Sequence, residues 1–166
     1  MLEKPTMPKK LTLKYWLMKS EPNVYSIDSL CNDKVTLWTG VRNYQARNFM
    51  MNDMKIGDPI FFYHSSAEPP GIAGLAEISA VAKPDPTAFD QKSEGYDPKA
   101  TNEKPIWFCV EVKFVKKFDR LIPLSDLKSN KKLKDLLVLQ RGQRLSIQPV
   151  TEKDFLCILN LSESLD

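Results

Sequence analysis

The stretch Asp58-Pro-Ile-Phe-Phe-Tyr-His64 and the apolar segment that follows it determine the kind of fold that this chain can adopt. Asp58 and Pro59 open a strand, and the apolar residues after them continue it. A loop at 65–71 contains two prolines and ends in glycine, and a second segment rich in small and apolar residues covers 72–82. We interpret the two apolar segments as the strands of a β-hairpin.

Similar patterns predict strands and short helices on both sides of this hairpin. Further strands are expected at 13–19, 35–38, 106–118 and 145–147. Helices are expected at 26–30 with Ser26 as N-cap, at 43–54 with Asn43 as N-cap, at 124–127, at 131–138, and from the Thr151 cap to residue 159. Six strands with short helices between them indicate an α+β fold built on a mixed, curved sheet or barrel.

Length and charge set further limits. A chain of 166 residues is long enough for one domain with a full hydrophobic core. We assign that domain to 14–161 and expect flexible tails at 1–13 and 162–166. The net charge of +3 is too small to indicate a partner. Basic residues do cluster at 113–120 and 128–134, where they would either attract phosphate or form an ordinary solvated lysine face.

The cysteines and the hydropathy pattern indicate where such a protein would reside. Cys31, Cys109 and Cys157 are far apart, and their number is odd. This pattern argues against a disulfide framework and against a zinc site, and it favours a reducing, intracellular compartment. No apolar run approaches a membrane span. We therefore expect no metal, no cofactor and no membrane association, with a cytoplasmic location in a bacterium or a nuclear one in a eukaryote.

Motifs of the common enzyme classes do not occur in this sequence. It contains no G-x-G-x-x-G, no Walker loop, no G-x-S-x-G and no zinc deaminase signature. His64 is the single histidine, and adjacent strand residues point to opposite faces, so His64 and Ser65 do not form a nucleophile with its base. We predict a non-catalytic protein. The alternative is a base-processing hydrolase or nuclease that uses His64 with a carboxylate.

One junction carries an unusual mixture of side chains. Trp38-Thr-Gly-Val-Arg-Asn-Tyr-Gln-Ala-Arg47 joins a predicted strand end to a predicted helix start. Tryptophan and arginine offer flat surfaces to a planar ring, and arginine and asparagine offer fixed hydrogen-bond geometry. This mixture suits a binding site for a base. The alternatives are a core role for Trp38, a pure capping role for Asn43, and structural ion pairs for Arg42 and Arg47.

Five motifs of the chain resemble the EVE domain family in order and spacing. They are Tyr15-Trp-Leu-Met-Lys-Ser-Glu-Pro22, Trp38-Thr-Gly-Val-Arg-Asn-Tyr-Gln-Ala-Arg-Asn48, Gly57-Asp-Pro-Ile-Phe-Phe-Tyr-His-Ser65, Gly71-Ile-Ala-Gly74 and Arg144-Leu-Ser-Ile-Gln-Pro-Val150. The resemblance implies a PUA-like mixed β-barrel of about six strands flanked by short helices, related to YTH domains that read methylated adenine in RNA.

The same resemblance implies a function. EVE domains are linked to modified cytosines in DNA, so we expect a module that binds nucleic acid and accommodates 5-methylcytosine or 5-hydroxymethylcytosine in an aromatic and polar pocket. DNA is the expected partner and RNA is an alternative. The sequence is also compatible with a sensor of a free nucleobase-like molecule and with a module whose lysine stripe binds another protein.

Candidate site residues follow from the motifs. Trp38 would stack on an extruded base, while Asn43, Ser20 and nearby backbone would read its edge. Tyr63 and Ser65 share one strand face and His64 the other, so we expect one set to line the pocket. The candidate ligand-binding residues are Lys19, Ser20, Trp38, Val41, Arg42, Asn43, Arg47, Tyr63, His64, Ser65, Ser146, Gln148 and Pro149.

The resemblance to YTH domains also marks one departure. Lys19-Ser20, Trp38 and Gly74-Leu-Ala-Glu77 are similar to the lysine-serine, the pocket tryptophan and the return strand of that pattern. A second cage aromatic of YTH domains lies in the loop after the return strand, where this chain has no tryptophan. Phe89 and Tyr96 are the candidates for that wall. Trp16 and Trp107 lie in apolar runs, and we predict them to be core residues.

Overall fold

The computed structural model describes residues 12–164, in which six strands form one mixed sheet. The strands are β1 Tyr15–Ser20, β2 Val35–Leu37, β3 Pro59–His64, β4 Gly71–Pro84, β5 Phe108–Pro123 and β6 Ile147–Val150. Their order in the sheet is β2-β5-β4-β3-β1-β6, with β1 and β3 parallel and every other pair antiparallel. The predicted six-stranded α+β fold is confirmed.

The barrel expected from the resemblance is not closed. The two edge strands of the described sheet, β2 and β6, have only three and four residues and do not pair with each other. The long strands β4 and β5 shift register at several β-bulges, and bulges bend a sheet strongly. The result is one open, curved sheet.

Four α-helices surround this sheet, and the sequence predicts three of their N-caps correctly. The helices are α1 Ile27–Asp33, α2 Tyr44–Asn48, α3 Leu124–Ser129 and α4 Glu152–Glu163. The side chains of Ser26, Asn43 and Thr151 each accept a hydrogen bond from a backbone N–H three residues later. Each side chain therefore satisfies one of the N–H groups that a helix start leaves without a partner.

Two predicted helices are wrong in form. The helix expected at 43–54 is α-helical only to residue 48, and Phe49–Asp53 continues it as a π-helical turn in which the N–H of Met54 bonds to the carbonyl of Phe49. The helix expected at 131–138 is two separate 3-10 turns, Lys131–Leu133 and Leu137–Leu139. Leu133 and Leu136 are both buried, and their spacing of three matches the 3-10 repeat.

The C-terminal elements are also displaced from their predicted positions. The strand expected at 145–147 is β6 at 147–150, and Pro149 lies within it, which is tolerated because β6 is an edge strand. Helix α4 runs to residue 163, so it extends into the segment predicted as a C-terminal tail. Of the predicted N-terminal tail, residues 1–11 lie outside the described part of the chain.

The central strands β1 and β3 are buried on both faces. Trp16, Met18 and Phe62 point towards α1 and α2 and belong to one apolar cluster, whereas Leu17 and Phe61 belong to a second cluster with α3 and α4. Strands covered on both sides need apolar residues at successive positions, and these strands have them. The molecule therefore has three layers, with the sheet in the middle.

The long segment between β4 and β5 packs against the body of the domain. It contains one 3-10 turn, Pro86–Phe89, and a third small cluster of Ala88, Ala100 and Trp107, against which Phe89 and Ile106 pack. The burial of Trp16 and Trp107 confirms the prediction that both are core residues.

Candidate nucleic-acid interface

A cavity of about 270 Å³ opens where the end of β1 lies near β2. This volume is close to the lower end of the range typical of small-ligand pockets, about 300–1,000 Å³. Two short segments of the chain build its walls, one at the end of β1 and one at the end of β2. The lining residues are Lys19, Ser20, Val24, Tyr25, Thr36, Leu37, Trp38 and Thr39.

The indole of Trp38 is the largest aromatic surface of this cavity. Trp38 is half-buried, and its ring meets the ring of Phe62 edge-on, with 5.6 Å between centroids and 82° between planes. Its backbone N–H bonds to the carbonyl of Val110 at 2.8 Å. Trp38 is thus packed edge-on against the core residue Phe62 and also lines the cavity, so it is the cavity residue with the largest aromatic ring available for stacking.

A hydrogen-bonded turn after β1 forms another wall of the cavity. The N–H groups of Val24 and Tyr25 both donate to the carbonyl of Glu21 at 2.9 Å, and the hydroxyl of Ser20 donates to the carbonyl of Tyr25 at 2.6 Å. The Tyr25 hydroxyl donates to Asp33 at 2.9 Å. Burial raises the pKa of Tyr25, so its hydroxyl stays protonated and remains a donor.

Tyr25 is a cavity residue that the sequence motifs do not single out. It supplies a second aromatic ring to the lining, whereas Phe89 packs in the third cluster and Tyr96 lies outside the cavity. The available signal was its position three residues after the Tyr15–Pro22 motif. The hydrogen bond from the Ser20 hydroxyl to the carbonyl of Tyr25 holds this part of the chain at the end of β1.

Lys19 brings a positive charge to the cavity. Its side chain is half-buried, and burial lowers the pKa of its ammonium group. Among residues 12–164, no carboxylate lies within ion-pair distance of it. A partly desolvated cation without a counter-charge favours an anionic or strongly accepting ligand group.

Arg42 points away from this cavity and holds the long β4–β5 segment in place. Its guanidinium donates to the carbonyls of Gly95 and Val41, to the carboxylate of Asp85 and to the hydroxyl of Thr87. These five hydrogen bonds use all five donors of the group. Of the two roles considered for Arg42, the structural ion pair with an aspartate is the one present here.

Asn43 and Arg47 also have partners within the protein. Asn43 caps α2 through Ala46, which is the capping role considered from the sequence. Arg47 donates to the carbonyl of Ile106 at 3.0 Å and lies over the ring of Tyr44. Val41, the remaining candidate of this junction, is 7% exposed and belongs to the core.

The candidates on β3 separate as alternation predicts. Tyr63 is buried in the second apolar cluster, and burial raises its pKa. His64 lies on the other face, 5.7 Å from the ring of Phe62, and its Nε2 accepts the N–H of Ile27 at the start of α1. Burial lowers the pKa of His64, which keeps that nitrogen free to accept. Ser65 donates its backbone N–H to the carbonyl of Ser20.

The candidates on and before β6 surround β1 and do not line the cavity. The carbonyl of Ser146 accepts the N–H of Lys19 at 2.8 Å, which fixes the backbone at the cavity edge. Gln148 is buried and donates to the carbonyl of Leu145, and Pro149 is exposed opposite Trp16. Of the thirteen predicted site residues, the cavity lining contains Lys19, Ser20 and Trp38, and the ligand contacts of all thirteen stay predictions.

The remaining side chains that could act as nucleophiles or metal ligands do not cluster within residues 12–164. Cys109 is buried in the sheet and burial raises the pKa of its thiol to about 11, while Cys31 is exposed. No group of three metal-ligating side chains occurs within residues 12–164. No helix in that described range is long and apolar enough to cross a membrane.

The chain matches the family model for the EVE domain over residues 14–161 and belongs to that family. Human thymocyte nuclear protein 1 is 44% identical to it over 168 residues, which cover 90% of this chain and 74% of the human one. A hypothetical protein from Leishmania major has a similar structure, with a TM-score of 0.88, 47% identity, and coverage of 93% of this chain and 97% of the other.

One further solved structure, that of a relative, contains a bound ligand. The human THYN1 protein was solved in complex with DNA containing 5-methylcytosine, and its chain superposes with a TM-score of 0.83 at 44% identity. The matched region covers 90% of this chain and 98% of that chain.

Proposed function

We propose that this chain binds DNA that carries a modified cytosine, 5-methylcytosine or 5-hydroxymethylcytosine, and holds that base in the Trp38 cavity without catalysis. The observation that carries the proposal is the half-buried Trp38, whose ring packs edge-on against Phe62 and which lines a small cavity beside Lys19, an ammonium group without a carboxylate partner among residues 12–164. Membership of the EVE family supports the ligand class, as does the human relative that was solved with 5-methylcytosine DNA.

Each feature of the cavity has a role in this proposal. The indole of Trp38 stacks on the base, which contributes about 1–3 kcal/mol for one base–aromatic pair. The ammonium of Lys19 attracts a neighbouring phosphate or a base acceptor, so affinity decreases as salt increases. The Ser20 hydroxyl is committed to the carbonyl of Tyr25 and shapes the wall.

The methyl group itself gives modest discrimination. Burying one carbon contributes about 0.8 kcal/mol, which corresponds to about a fourfold preference over cytosine. A larger preference for the hydroxymethyl form would require a hydrogen bond to its hydroxyl, because losing such a bond leaves a buried polar group unpaired. The hydroxyl of Thr39 is a cavity group that could supply it, whereas the hydroxyl of Thr36 already donates to the carbonyl of Leu37 at 3.5 Å.

The hydrolase or nuclease alternative lacks support from the position of His64. Nε2 of His64 accepts the N–H of Ile27, and that nitrogen would have to be released before it could act as a base. The proposal for His64 is therefore a structural role at the start of α1.

Titration of labelled oligonucleotides, followed by fluorescence anisotropy, tests the proposed function. Duplexes and single strands carry cytosine, 5-methylcytosine, 5-hydroxymethylcytosine, adenine or N6-methyladenine at one position. We expect the tightest binding to a modified cytosine, and we expect Trp38→Ala to weaken it about 5- to 150-fold. Trp38→Phe should lose less, because a smaller aromatic ring remains.

Tyr96→Ala is the matched control, since it removes an exposed aromatic ring outside the cavity. Equal, salt-sensitive binding of every oligonucleotide would reduce the protein to a phosphate binder. Equal affinity for the free base without salt dependence would indicate a small-molecule sensor. Conversion of the DNA that disappears in His64→Ala would indicate an enzyme.

A further inference from the structure

Val24 is both strongly exposed and part of the cavity lining. The residue is 78% exposed, the largest value among the large apolar residues of 12–164. The same residue lines the Trp38 cavity. A cavity residue that is mostly exposed must lie at the rim, so Val24 projects an apolar branched side chain outwards beside the opening.

The backbone below Val24 is firmly held. Its N–H bonds to the carbonyl of Glu21, and the carbonyl of the next residue, Tyr25, accepts the hydroxyl of Ser20 at 2.6 Å. The phenol of Tyr25 is tied to Asp33 on α1. A side chain on such a support keeps its position when a macromolecule presses against it, which a projection on a loose loop does not.

We propose that Val24 enters the DNA base stack in place of the extruded modified cytosine. The inference rests on the proposed function, because a base can reach the Trp38 cavity only after it leaves the helix. Extrusion leaves a gap in the stack and costs unstacking energy, and proteins that distort DNA commonly insert an apolar side chain at such a step. The base enters the cavity, and Val24 at the rim fills the gap.

A wedge and a pocket wall differ in which DNA they affect. A wedge contributes only where a base pair must be opened, so its removal weakens binding to a paired duplex and spares a single strand. A wall of the pocket contributes equally to both. Val24→Ala removes two methyl groups, and we expect about a tenfold loss of affinity for the paired duplex with less than a twofold loss for the single strand.

The experiment compares wild type, Val24→Ala and Trp38→Ala on a 5-methylcytosine duplex and on its single modified strand. Val81→Ala is the matched control, because Val81 is also an exposed valine, 59% accessible, and lies on β4 outside the cavity lining. We expect Val81→Ala to bind both probes as wild type does, and Trp38→Ala to lose both.

A second readout measures the extrusion itself. The fluorescent base 2-aminopurine, placed next to the modified cytosine, brightens when its neighbour leaves the stack. At saturating protein we expect a smaller increase with Val24→Ala than with wild type. An equal loss on duplex and single strand, or no loss on either, overturns the wedge while leaving the proposed function intact. If the wild type fails to bind modified DNA, or if Trp38→Ala binds normally, the proposed function fails and the inference fails with it.

Discussion

Replacement of Asp85 by alanine tests a structural clamp next to the cavity, formed by the carboxylate of Asp85 with Gly40, Arg42 and Thr87. The carboxylate of Asp85 is fully buried and accepts four hydrogen bonds, from the N–H of Gly40, from Arg42, and from both the N–H and the hydroxyl of Thr87. Burial acts to raise the pKa of Asp85, but these donors outweigh it and hold the pKa below its ordinary value. Asp85 is therefore ionised at neutral pH and neutralises Arg42.

The cost of removing this carboxylate follows from what it leaves behind. Breaking a buried ion pair by deleting one partner costs about 3–5 kcal/mol, because the other charge stays buried without compensation. The side chain of Arg42 is 24% exposed, so water relieves part of that penalty and we expect a value of about 3 kcal/mol. For a chain of this size, that lowers the melting temperature by about 6–12 °C.

Urea and thermal unfolding of Asp85→Ala measure this cost, and Asp53→Ala provides the control. Asp53 also pairs with a cation, Lys14 at 3.2 Å, but both side chains are substantially exposed. A surface pair of that kind contributes at most about 1 kcal/mol. Equal losses for the two variants would refute the argument that burial and the four bonds make the Asp85 site special.

The same variant also affects the proposed DNA site. The bond from Asp85 to Gly40 fixes the backbone one residue after Thr39, which lines the cavity next to Trp38. We expect Asp85→Ala to weaken DNA binding under conditions where it remains folded, while Asp53→Ala binds normally. Unchanged affinity would mean that the cavity wall does not depend on the clamp.

Two further changes test packing and protonation. A Cβ at Gly74 would collide with the carbonyl oxygen of Lys116, so Gly74→Ala should lower the free energy of unfolding by about 1–3 kcal/mol. An unchanged urea midpoint would contradict this close approach. Burial lowers the pKa of His64 in the folded state. At a pH just below the ordinary histidine pKa, the unfolded chain therefore binds more protons than the folded chain. The free energy of unfolding should therefore fall as the pH drops below about 6.5. In His64→Gln, which removes the single histidine, it should depend less on pH. Identical pH profiles of the two proteins would exclude a contribution of His64 to the pH dependence of stability.

The sequence predicts the elements of this fold where local chemistry decides them. The caps Ser26, Asn43 and Thr151 are recognisable because each offers a side-chain acceptor before an apolar periodic segment. The central strands are recognisable because successive apolar residues occur between turn signals. Closure of the sheet could not be predicted in this way, because it depends on whether two short edge strands meet in space.

Elements with mixed signals were predicted less well. The 131–138 segment contains leucines at both three- and four-residue spacings, so a helix and a pair of 3-10 turns fit the same letters. The segment at 49–53 retains an apolar inner face in its π-helical form, with Met50 buried, and hydrophobic periodicity alone does not report the extra residue.

Only part of the candidate site could be predicted, because the motif from Trp38 to Arg47 contributes both to the cavity and to the packing of the β4–β5 segment. Trp38 directly follows β2 and lines the cavity, whereas Arg42, four residues later, binds the β4–β5 segment. Between them Gly40 has a φ of +85°, a conformation that side-chain-bearing residues rarely adopt, and this turn separates the two directions. The residue types alone do not distinguish these roles, because a guanidinium presents the same donors to a phosphate and to a protein carbonyl.

What decides the role of Arg42 is a residue far along the chain. Asp85 follows β4 by one position, and only the fold brings its carboxylate to Arg42 and Gly40. A variant of Arg42 that weakens DNA binding would therefore not identify a phosphate contact, because it would also release the wall beside Trp38. Lys19 differs in this respect, since its ammonium has no carboxylate partner among the described residues and its loss breaks no ion pair there. The salt dependence of binding should accordingly decrease in Lys19→Met, whereas an arginine variant should lose affinity and stability together.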